Sequence, residues 1–505
     1  MSASTKIALY ALTVFLSSAL LLVLEVVAGR LIAPYVGVSL YTWTSVIGVI
    51  LGGLSLGNWL GGVWADRNAG EAAVGYTLIG SALATLGIPL ILTLVAPGIQ
   101  NAEWSLLSSS LLLVLALFFV PALLLGIVTP ILTTLALQLS SRTGHIVGMM
   151  HALAAVGSIF GTFLTGFWLI QIFGTHTVIL SAAVTLALLA LPLLRGRRLR
   201  AIPGLAVIAA ILLTLTGTRH GLDSPCDRES AYFCIRVVEE PWDLPPGQLK
   251  SMVLDHLLHG SNHSEDARVL VAPYVQLMDE LTLRHFADRS PGAFFFIGGG
   301  AYTLPRAVST LYPEAEVTVA ELDPVVTEVA AQQLFLETRG MRIQHEDARV
   351  ALERLPQERF DVIVADAFHD IAIPPHLVTR EMAELVAGRL SADGIYLLNI
   401  VDAFPDARLV KSMLKTLREV FPSVEVWLDR IPDAPTRATY VLSAAQRDDT
   451  PEQITAQRGL ARSWLKVTGA VLATGTPLAD LPILSDDHVP VERLMANLFL
   501  TPLGQ

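Results

Sequence analysis

The sequence carries little charge for its length. Only 16% of its 505 residues are Asp, Glu, Lys or Arg, whereas 53% are hydrophobic and the mean hydropathy is +0.57. Soluble proteins carry about a quarter charged residues. The composition therefore excludes a disordered, collagen-like or coiled-coil chain and does not fit a wholly soluble enzyme. The net charge of −11 gives no general attraction to nucleic acid, so no nucleic-acid partner is expected.

Cysteine is almost absent, because Cys226 and Cys234 are the only two. In an oxidising compartment a pair eight residues apart could close a small disulfide, and otherwise the two are unpaired thiols. The sequence leaves both readings open. Neither cysteine lies in a catalytic context and no G-x-S-x-G motif occurs, so the standard nucleophile signatures are absent.

The few charges divide the chain into unlike parts. Residues 1–217 hold eight basic and four acidic residues, a net charge of +4, whereas the remaining 288 residues hold 26 basic and 41 acidic ones, a net charge of −15. We predict a transmembrane helical domain over 1–217, a small β lead-in subdomain over 218–265 and a catalytic domain over 266–505.

Seven apolar stretches have the roughly 20 residues that a helix needs to cross a bilayer. They are residues 7–33, 41–64, 74–96, 105–138, 146–173, 177–194 and 201–217. With a cytoplasmic N-terminus, Lys6, Arg67, Arg142 and the 195-RGRRLR-200 cluster face inward, against Arg30 and Arg219 outside. The pattern predicts a multi-pass protein of the cell inner membrane, in contact with the lipid bilayer, whose C-terminal domain lies in the periplasm.

From about residue 292 apolar strands alternate with amphipathic helices. The predicted strands are 293–297, 316–322, 341–346, 361–366, 394–400, 423–428 and 437–445. Such alternation predicts a doubly wound, mostly parallel sheet that binds its ligand at the carboxyl ends of the strands.

Candidate site residues follow four of those strands in turn. The first strand runs into Gly298-Gly299-Gly300, a turn that lets a ligand approach the backbone. The next three end near Glu321, Asp347 and Asp366. Glu321 comes 21 residues after Gly300, the distance at which such folds place a carboxylate on a ribose.

Several motifs in this half of the chain occur in the order typical of one family. They are 254-LDHLLHGS-261, 297-IGGGAYTLPR-306, 320-AELDP-324, 346-EDAR-349, 366-DAFHDIAIPPHLVT-379 and 485-SDDHVPVERL-494. The chain resembles the spermidine synthases (polyamine aminopropyltransferases), in a branch fused to a membrane domain. The resemblance implies an α/β Rossmann-like domain of the spermidine synthase or class I methyltransferase type. It also implies Glu321 near a ribose-like group, Asp347 near an adenine-like ring, and Asp366 as the carboxylate that activates an amine.

The chain also departs from that family. Ala301 and Tyr302 stand where the family has an acid that helps to hold the aminopropyl donor, and Asp370 lies one residue later than the family's second catalytic acid. The donor is made in the cytoplasm, whereas the predicted site lies outside it. The transmembrane branch resembles glutaminyl cyclases, which convert the N-terminal glutamine of a peptide or protein to pyroglutamate and release ammonia. We expect this reaction, with Asp366 and Glu321 as the acid/base pair.

The expected reaction needs no nucleotide, cofactor or metal ion. The candidate substrate-binding residues are Gly298, Gly299, Gly300, Tyr302, Asp347, Tyr274, Gln276, His259, Asn399 and Asp370. For the aromatic, amide and imidazole side chains among them, ordinary structural hydrogen bonding is an equally good reading, and Asp347 could simply cap a helix. Two other functions stay open: aminopropyl transfer to putrescine from decarboxylated S-adenosylmethionine, and ligand binding or transport by a non-enzymatic membrane protein.

Overall fold

The computed structural model describes residues 2–100, 104–194, 202–219, 221–242, 246–355, 359–368, 373–447 and 450–500. The chain divides into two compact units, Met1–Pro225 and Cys226–Gln505. They are called the N-terminal and the C-terminal unit below.

The N-terminal unit is built of apolar helices. They are α1 (Ala3–Val36), α2 (Leu40–Asp66), α3 (Glu71–Gln100), α4 (Leu106–Leu137), α5 (Thr143–Leu164), α6 (Ile170–Ala190) and α7 (Ile202–Thr218). Ser2, Ser39 and Ser105 cap α1, α2 and α4, because each side chain accepts a backbone N–H of the first turn. Large side chains such as Trp59, at 65% exposure, face outward, as they would toward lipid.

The predicted number of seven spans is wrong. Within the described residues, five helices are long and apolar enough to cross a membrane. The predicted spans 146–173 and 177–194 fall in one stretch, Thr143–Leu193, which includes a π-helical turn at Thr165–Leu169 and non-helical backbone at Gly174. The predicted seventh span is α7, whose 17 residues extend about 25 Å, less than the roughly 30 Å of a bilayer core.

Glycines bring the helices of this unit into backbone contact. A Cβ added at Gly57 of α2 would lie 2.1 Å from the carbonyl oxygen of Leu123 on α4, and one added at Gly161 of α5 would lie 2.2 Å from that of Ala19 on α1. No described atom lies within 4 Å of a Cβ built at Gly52. The small residues therefore support close packing on one face of α2 and leave another face open.

The C-terminal unit begins with a four-stranded antiparallel sheet. Its strands are β1 (Arg228–Glu229), β2 (Cys234–Glu240), β3 (Leu249–Leu254) and β4 (Leu257–His263), paired in sequence order. A disulfide joins Cys226 to Cys234 and closes the loop that contains β1. Of the two readings that the sequence left open, a disulfide and two unpaired thiols, the structure has the disulfide.

The described part of the C-terminal unit also contains a nine-stranded sheet. Its strands are β5 (Ala293–Ile297), β6 (Glu316–Ala320), β7 (Met341–Gln344), β8 (Phe360–Ala365), β9 (Leu390–Phe404), β10 (Ser423–Leu428), β11 (Thr436–Ala445), β12 (Gln453–Thr455) and β13 (Ser463–Lys466). The order across the sheet is β12-β13-β10-β11-β9-β8-β5-β6-β7. The strands from β9 to β7 are parallel to one another, and the other four pair antiparallel. The predicted α/β architecture is thereby confirmed.

Helices precede, connect and follow these strands. They are α8 (Pro273–His285), α9 (Thr303–Leu311), α10 (Pro324–Gln333), α11 (Ala348–Arg354), α12 (Arg380–Arg389), α13 (Arg408–Leu417), α14 (Thr468–Ala473), α15 (Val491–Leu494) and α16 (Ala496–Leu500). Phe294 and Phe296 of β5, which are almost fully buried, pack in one core with Leu277 of α8 and Val308 of α9. The parallel pairing from β9 to β7 places the carboxyl ends of these strands along one edge of the sheet.

Candidate active site

The candidate site lies where the order of the parallel strands reverses. The chain runs outward from β5 to β6 and β7, and then returns to the other side of β5 as β8. At this switch point the Asp366 backbone N–H donates to the Ile297 carbonyl at 3.0 Å, and the Gly298 N–H donates to the Ala320 carbonyl at 2.9 Å. Ligands of open α/β sheets bind in the crevice at such a point.

The glycine turn after β5 closely approaches other parts of the chain. Gly298 has φ +91°, and Gly300, at φ +50°, lies beside β4, where an added Cβ would be 3.1 Å from the His259 carbonyl oxygen. The Glu321 carboxylate accepts the N–H groups of Gly299 at 2.8 Å and Gly300 at 3.2 Å. The side chain that follows β6 thus fixes the turn that follows β5.

Glu321 is buried, at 7% exposure. Burial raises the pKa of its carboxyl group, and hydrogen bonds from the backbone N–H groups of Asp323, Gly299 and Gly300 counteract part of that rise. One carboxylate oxygen accepts the Asp323 N–H at 2.9 Å, while the other accepts the glycine N–H groups. Glu321 is therefore an anchor of the glycine turn as well as a candidate acid/base group.

Asp366 follows β8 and is half-buried at the edge of the sheet. The Tyr274 hydroxyl donates to its Oδ2 at 3.1 Å, and the Asn399 side-chain amide donates to its Oδ1 at 2.9 Å. Burial raises the pKa of the Asp366 carboxyl group, while the donors from Asn399 and Tyr274 oppose the rise. Burial also raises the pKa of Tyr274 well above its usual value, so the phenol stays protonated and donates. A carboxylate held in this way can accept a proton from an amine.

Asp347 has the capping role that the sequence left open. Its Oδ1 accepts the backbone N–H groups of Arg349 and Val350 at the start of α11. Its Oδ2 lies 2.7 Å from Nε2 of His376. The carboxylate that the family resemblance places near an adenine ring is thus engaged within the protein.

The other predicted binding residues have different surroundings. Tyr302 is fully buried, and its hydroxyl bonds to Thr327 Oγ1 at 2.6 Å. The Gln276 amide donates to the carbonyls of Arg458 at 3.0 Å and Leu460 at 2.7 Å, and so joins α8 to the C-terminal part of the sheet. His259 borders the glycine turn through its backbone. Asp370 lies outside the described residues.

A cavity of about 560 Å³ is lined by Tyr274, whose hydroxyl contacts Asp366. The Tyr274 ring lines it, and so does Val441, which pairs in register with Asn399. Its lining includes the buried residues Leu277, Leu428 and Trp464 and the charged residues Asp429, Arg430, Asp433 and Arg437. The cavity is large enough for a ligand, and one of its lining residues, Tyr274, contacts the candidate base.

Residues 282–453 match the profile of the spermine/spermidine synthase domain. The C-terminal unit contains a spermidine synthase-like domain. The chain is 34% identical over 134 residues to a polyamine aminopropyltransferase of Vibrio vulnificus, covering 26% of this chain and 44% of that protein. It is 23% identical over 225 residues to a probable polyamine aminopropyl transferase of Bifidobacterium longum, covering 41% of this chain and 50% of that protein. The chain spans half or less of the length of these curated relatives.

Among solved structures, a probable spermidine synthase from Corynebacterium glutamicum aligns with a TM-score of 0.44 and 22% sequence identity. The alignment covers 52% of this chain and 98% of that structure.

Sequence reasoning missed contacts that bear on the spermidine synthase-like domain. It did not single out His376, which contacts Asp347 and lies inside the 366–379 motif. It also did not single out Ser230, which donates to the Asp323 carboxylate. The dipeptide Asp323-Pro324 was a usable signal, because Asp followed by Pro is typical of a helix start. The partners of His376 and Ser230 lie too far away in sequence for any spacing to reveal them.

Proposed function

We propose that the spermidine synthase-like domain is a transferase that activates an amine at Asp366, in an aminopropyl transfer of the kind named for its curated relatives. The observation that carries the proposal is the Asp366 carboxylate, held by the Tyr274 phenol and the Asn399 amide at the switch point of the sheet. The match of residues 282–453 to the spermine/spermidine synthase domain supports it.

In this reaction the amine nitrogen of putrescine attacks the aminopropyl carbon bonded to the sulfonium sulfur of decarboxylated S-adenosylmethionine. The new C–N bond forms as the C–S bond breaks. The electron pair of the C–S bond stays on sulfur, and the nucleoside departs as a neutral thioether. The proton lost by the nitrogen passes to the Asp366 carboxylate. A carboxyl group whose pKa is raised by burial is a better proton acceptor than an ordinary aspartate.

A second candidate is glutaminyl cyclisation, and the engagement of Asp347 and Glu321 favours it. Asp347 contacts His376 and the start of α11, while Glu321 holds the glycine turn. Cyclisation needs no nucleoside: the α-amine of an N-terminal glutamine attacks its own side-chain amide carbon. Asp366 would take the amine proton and return it to the departing ammonia. The 560 Å³ cavity beside Tyr274 would then hold the rest of the peptide.

The two candidates require opposite sides of the membrane, and for the second candidate we propose that the C-terminal unit lies in the periplasm, with the helices in the inner membrane. With the five helices that are long and apolar enough to cross a membrane, the unit would lie on the side opposite Lys6, and Arg67 and Arg142 on the side of Lys6. The 195–200 cluster follows the fifth span in sequence, so with five spans it falls on the side of the C-terminal unit and opposes that bias; its structure lies outside the described residues. The disulfide between Cys226 and Cys234 is typical of an oxidising compartment. This placement supports cyclisation, because the aminopropyl donor is made in the cytoplasm.

One assay separates the candidates. The purified full-length protein is offered putrescine with decarboxylated S-adenosylmethionine and, separately, a glutamine-terminated peptide, and the products are identified by mass spectrometry. Spermidine formation supports aminopropyl transfer. Pyroglutamate and ammonia without spermidine replace the first candidate by the second, and the absence of both products contradicts amine activation on these substrates.

A reporter fused to the C-terminus tests the proposed placement independently. Alkaline phosphatase is active only after export from the cytoplasm. Fused to the C-terminus, it should be active if the C-terminal unit lies in the periplasm. A reporter that works only in the cytoplasm contradicts the periplasmic placement and removes the main argument against the aminopropyl donor.

A further inference from the structure

The loop closed by the disulfide reaches the candidate site through buried polar contacts. Cys226 and Cys234 bound a nine-residue segment that includes β1. Within it Ser230 is only 3% exposed, and its hydroxyl oxygen accepts the backbone N–H groups of Tyr232 at 3.0 Å and Phe233 at 2.9 Å. The loop is thus folded around the Ser230 side chain.

Ser230 also contacts the segment that follows β6. Its hydroxyl donates to the carboxylate of Asp323, which is 1% exposed and caps α10 by accepting the Val325 N–H at 3.0 Å. On the surface, Arg228 of the same loop pairs with Glu328 of α10 at 3.4 Å. The buried contact fixes the start of α10, whereas the exposed ion pair is of a kind that contributes little.

From Asp323 the contacts continue to the glycine turn. The Asp323 N–H donates to one oxygen of Glu321, and the other oxygen accepts the N–H groups of Gly299 and Gly300. Buried polar groups joined in this way depend on one another, because a group that loses its partner keeps the cost of burial. Asp366 is held by Tyr274 and Asn399, which belong to other elements.

We propose that the disulfide-closed loop is a positioning element of the candidate active site, in which Ser230 orders Asp323, Asp323 orders Glu321, and Glu321 orders the glycine turn. Opening the disulfide or removing the Ser230 hydroxyl therefore loosens the Gly299–Gly300 turn and leaves the Asp366 contacts in place. The inference goes beyond the proposed function, since it holds for any ligand that uses this turn.

Hydrogen–deuterium exchange of the full-length protein in detergent tests the inference. The variants are Ser230→Ala and the double variant Cys226→Ser/Cys234→Ser. Arg228→Gln is the matched control, because it contacts the same helix without lying on the path. We expect about fivefold faster exchange in the peptide that contains Gly299 and Gly300, as for the loss of one hydrogen bond, and unchanged exchange in β9. Arg228→Gln should leave both at the wild-type rates.

If a variant does not fold, the same test can be made on the wild-type protein. Its exchange rates are then measured before and after a reductant opens the disulfide. Unchanged exchange at the glycine turn on reduction and in Ser230→Ala overturns the inference. Faster exchange throughout the domain, β9 included, also overturns it, because the loop would then be a general stabilising element.

A kinetic readout accompanies the exchange measurement. If the aminopropyl transfer is found, Ser230→Ala should raise KM for the nucleoside-bearing donor and leave kcat and KM for the amine unchanged; a lowered kcat with an unchanged donor KM contradicts the inference. If no transfer is found, the proposed function fails, and the exchange data still decide the positioning role.

Discussion

The hydroxyl of Tyr274 offers a direct way to perturb the candidate base. In Tyr274→Phe the ring that lines the cavity stays, and only the donor to Asp366 Oδ2 at 3.1 Å is lost. A hydrogen bond to a charged group contributes about 1.5–3 kcal/mol. Since 3.1 Å is long for an O–H donor, we take the lower value, which corresponds to about one pH unit at 1.36 kcal/mol per unit.

The sign of the shift follows from the role of the donor. Tyr274 and Asn399 stabilise the ionised form of Asp366 and so oppose the rise in its pKa caused by burial. Without the phenol the pKa rises further, and the base is protonated over a wider range. The acidic limb of kcat/KM against pH should move up by about one unit, with activity retained above the limb.

The assay is the pH dependence of kcat/KM on whichever amine substrate proves active. Tyr440→Phe is the matched control, because Tyr440 is buried on β11 and its hydroxyl has no hydrogen-bond partner among the described residues. The pKa of the substrate amine is the same for every variant and cannot cause a difference between them. A limb that stays at the wild-type pH in Tyr274→Phe refutes the assignment of Asp366 as the titrating base.

Two further predictions concern stability. Burial raises the pKa of Asp402 to about 7, above the usual value of about 3.9 that it has in the unfolded chain, so the folded state binds the extra proton. Its contribution to the free energy of unfolding should therefore be full below pH 4 and fall by at most about 4 kcal/mol as the pH rises through 7. Urea unfolding should show wild type losing stability relative to Asp402→Asn over that range, and a pH-independent difference contradicts it. In the N-terminal unit, Gly57→Ala should lower the melting temperature by the equivalent of about 1–3 kcal/mol, because its Cβ would overlap the Leu123 carbonyl, whereas Gly52→Ala should not; equal effects contradict the packing.

The sequence predicted the central strands well. The predicted strands at 293–297 and 423–428 match β5 and β10 residue for residue. β5 is apolar and mostly buried, and β10 alternates before a buried apolar end, so local pattern and tertiary environment agree. The Gly298–Gly300 turn and Asp366 were found for a related reason: strand order alone brings the carboxyl ends of β5 and β8 together.

Helix α8 shows why other elements could not be predicted. It buries Gln276, Asp279 and Glu280, so it has no continuous apolar stripe. Asp279 is neutralised by Arg458, 179 residues away. A pattern-based reading therefore had no signal for this helix, although it supplies Tyr274 to the site.

The number of spans failed for a different reason. Hydropathy measures how apolar a segment is and not where one helical stretch continues into the next, so 146–173 and 177–194 were counted as two spans, whereas they fall in the single stretch Thr143–Leu193, which has a kink at Gly174. Likewise, the contacts from His376 to Asp347 and from Ser230 to Asp323 join residues 29 and 93 positions apart. Only the folded chain brings these side chains together.

The most direct test of amine activation at Asp366 is the turnover number of Asp366→Asn on the substrate that the wild-type protein converts. The amide cannot accept the proton of the attacking amine, so kcat should fall by at least about 100-fold. The domain should stay folded, because burial already disfavours the ionised form of Asp366, so removing its charge does not cost stability at neutral pH. Turnover of a folded Asp366→Asn variant at the wild-type rate would contradict the account.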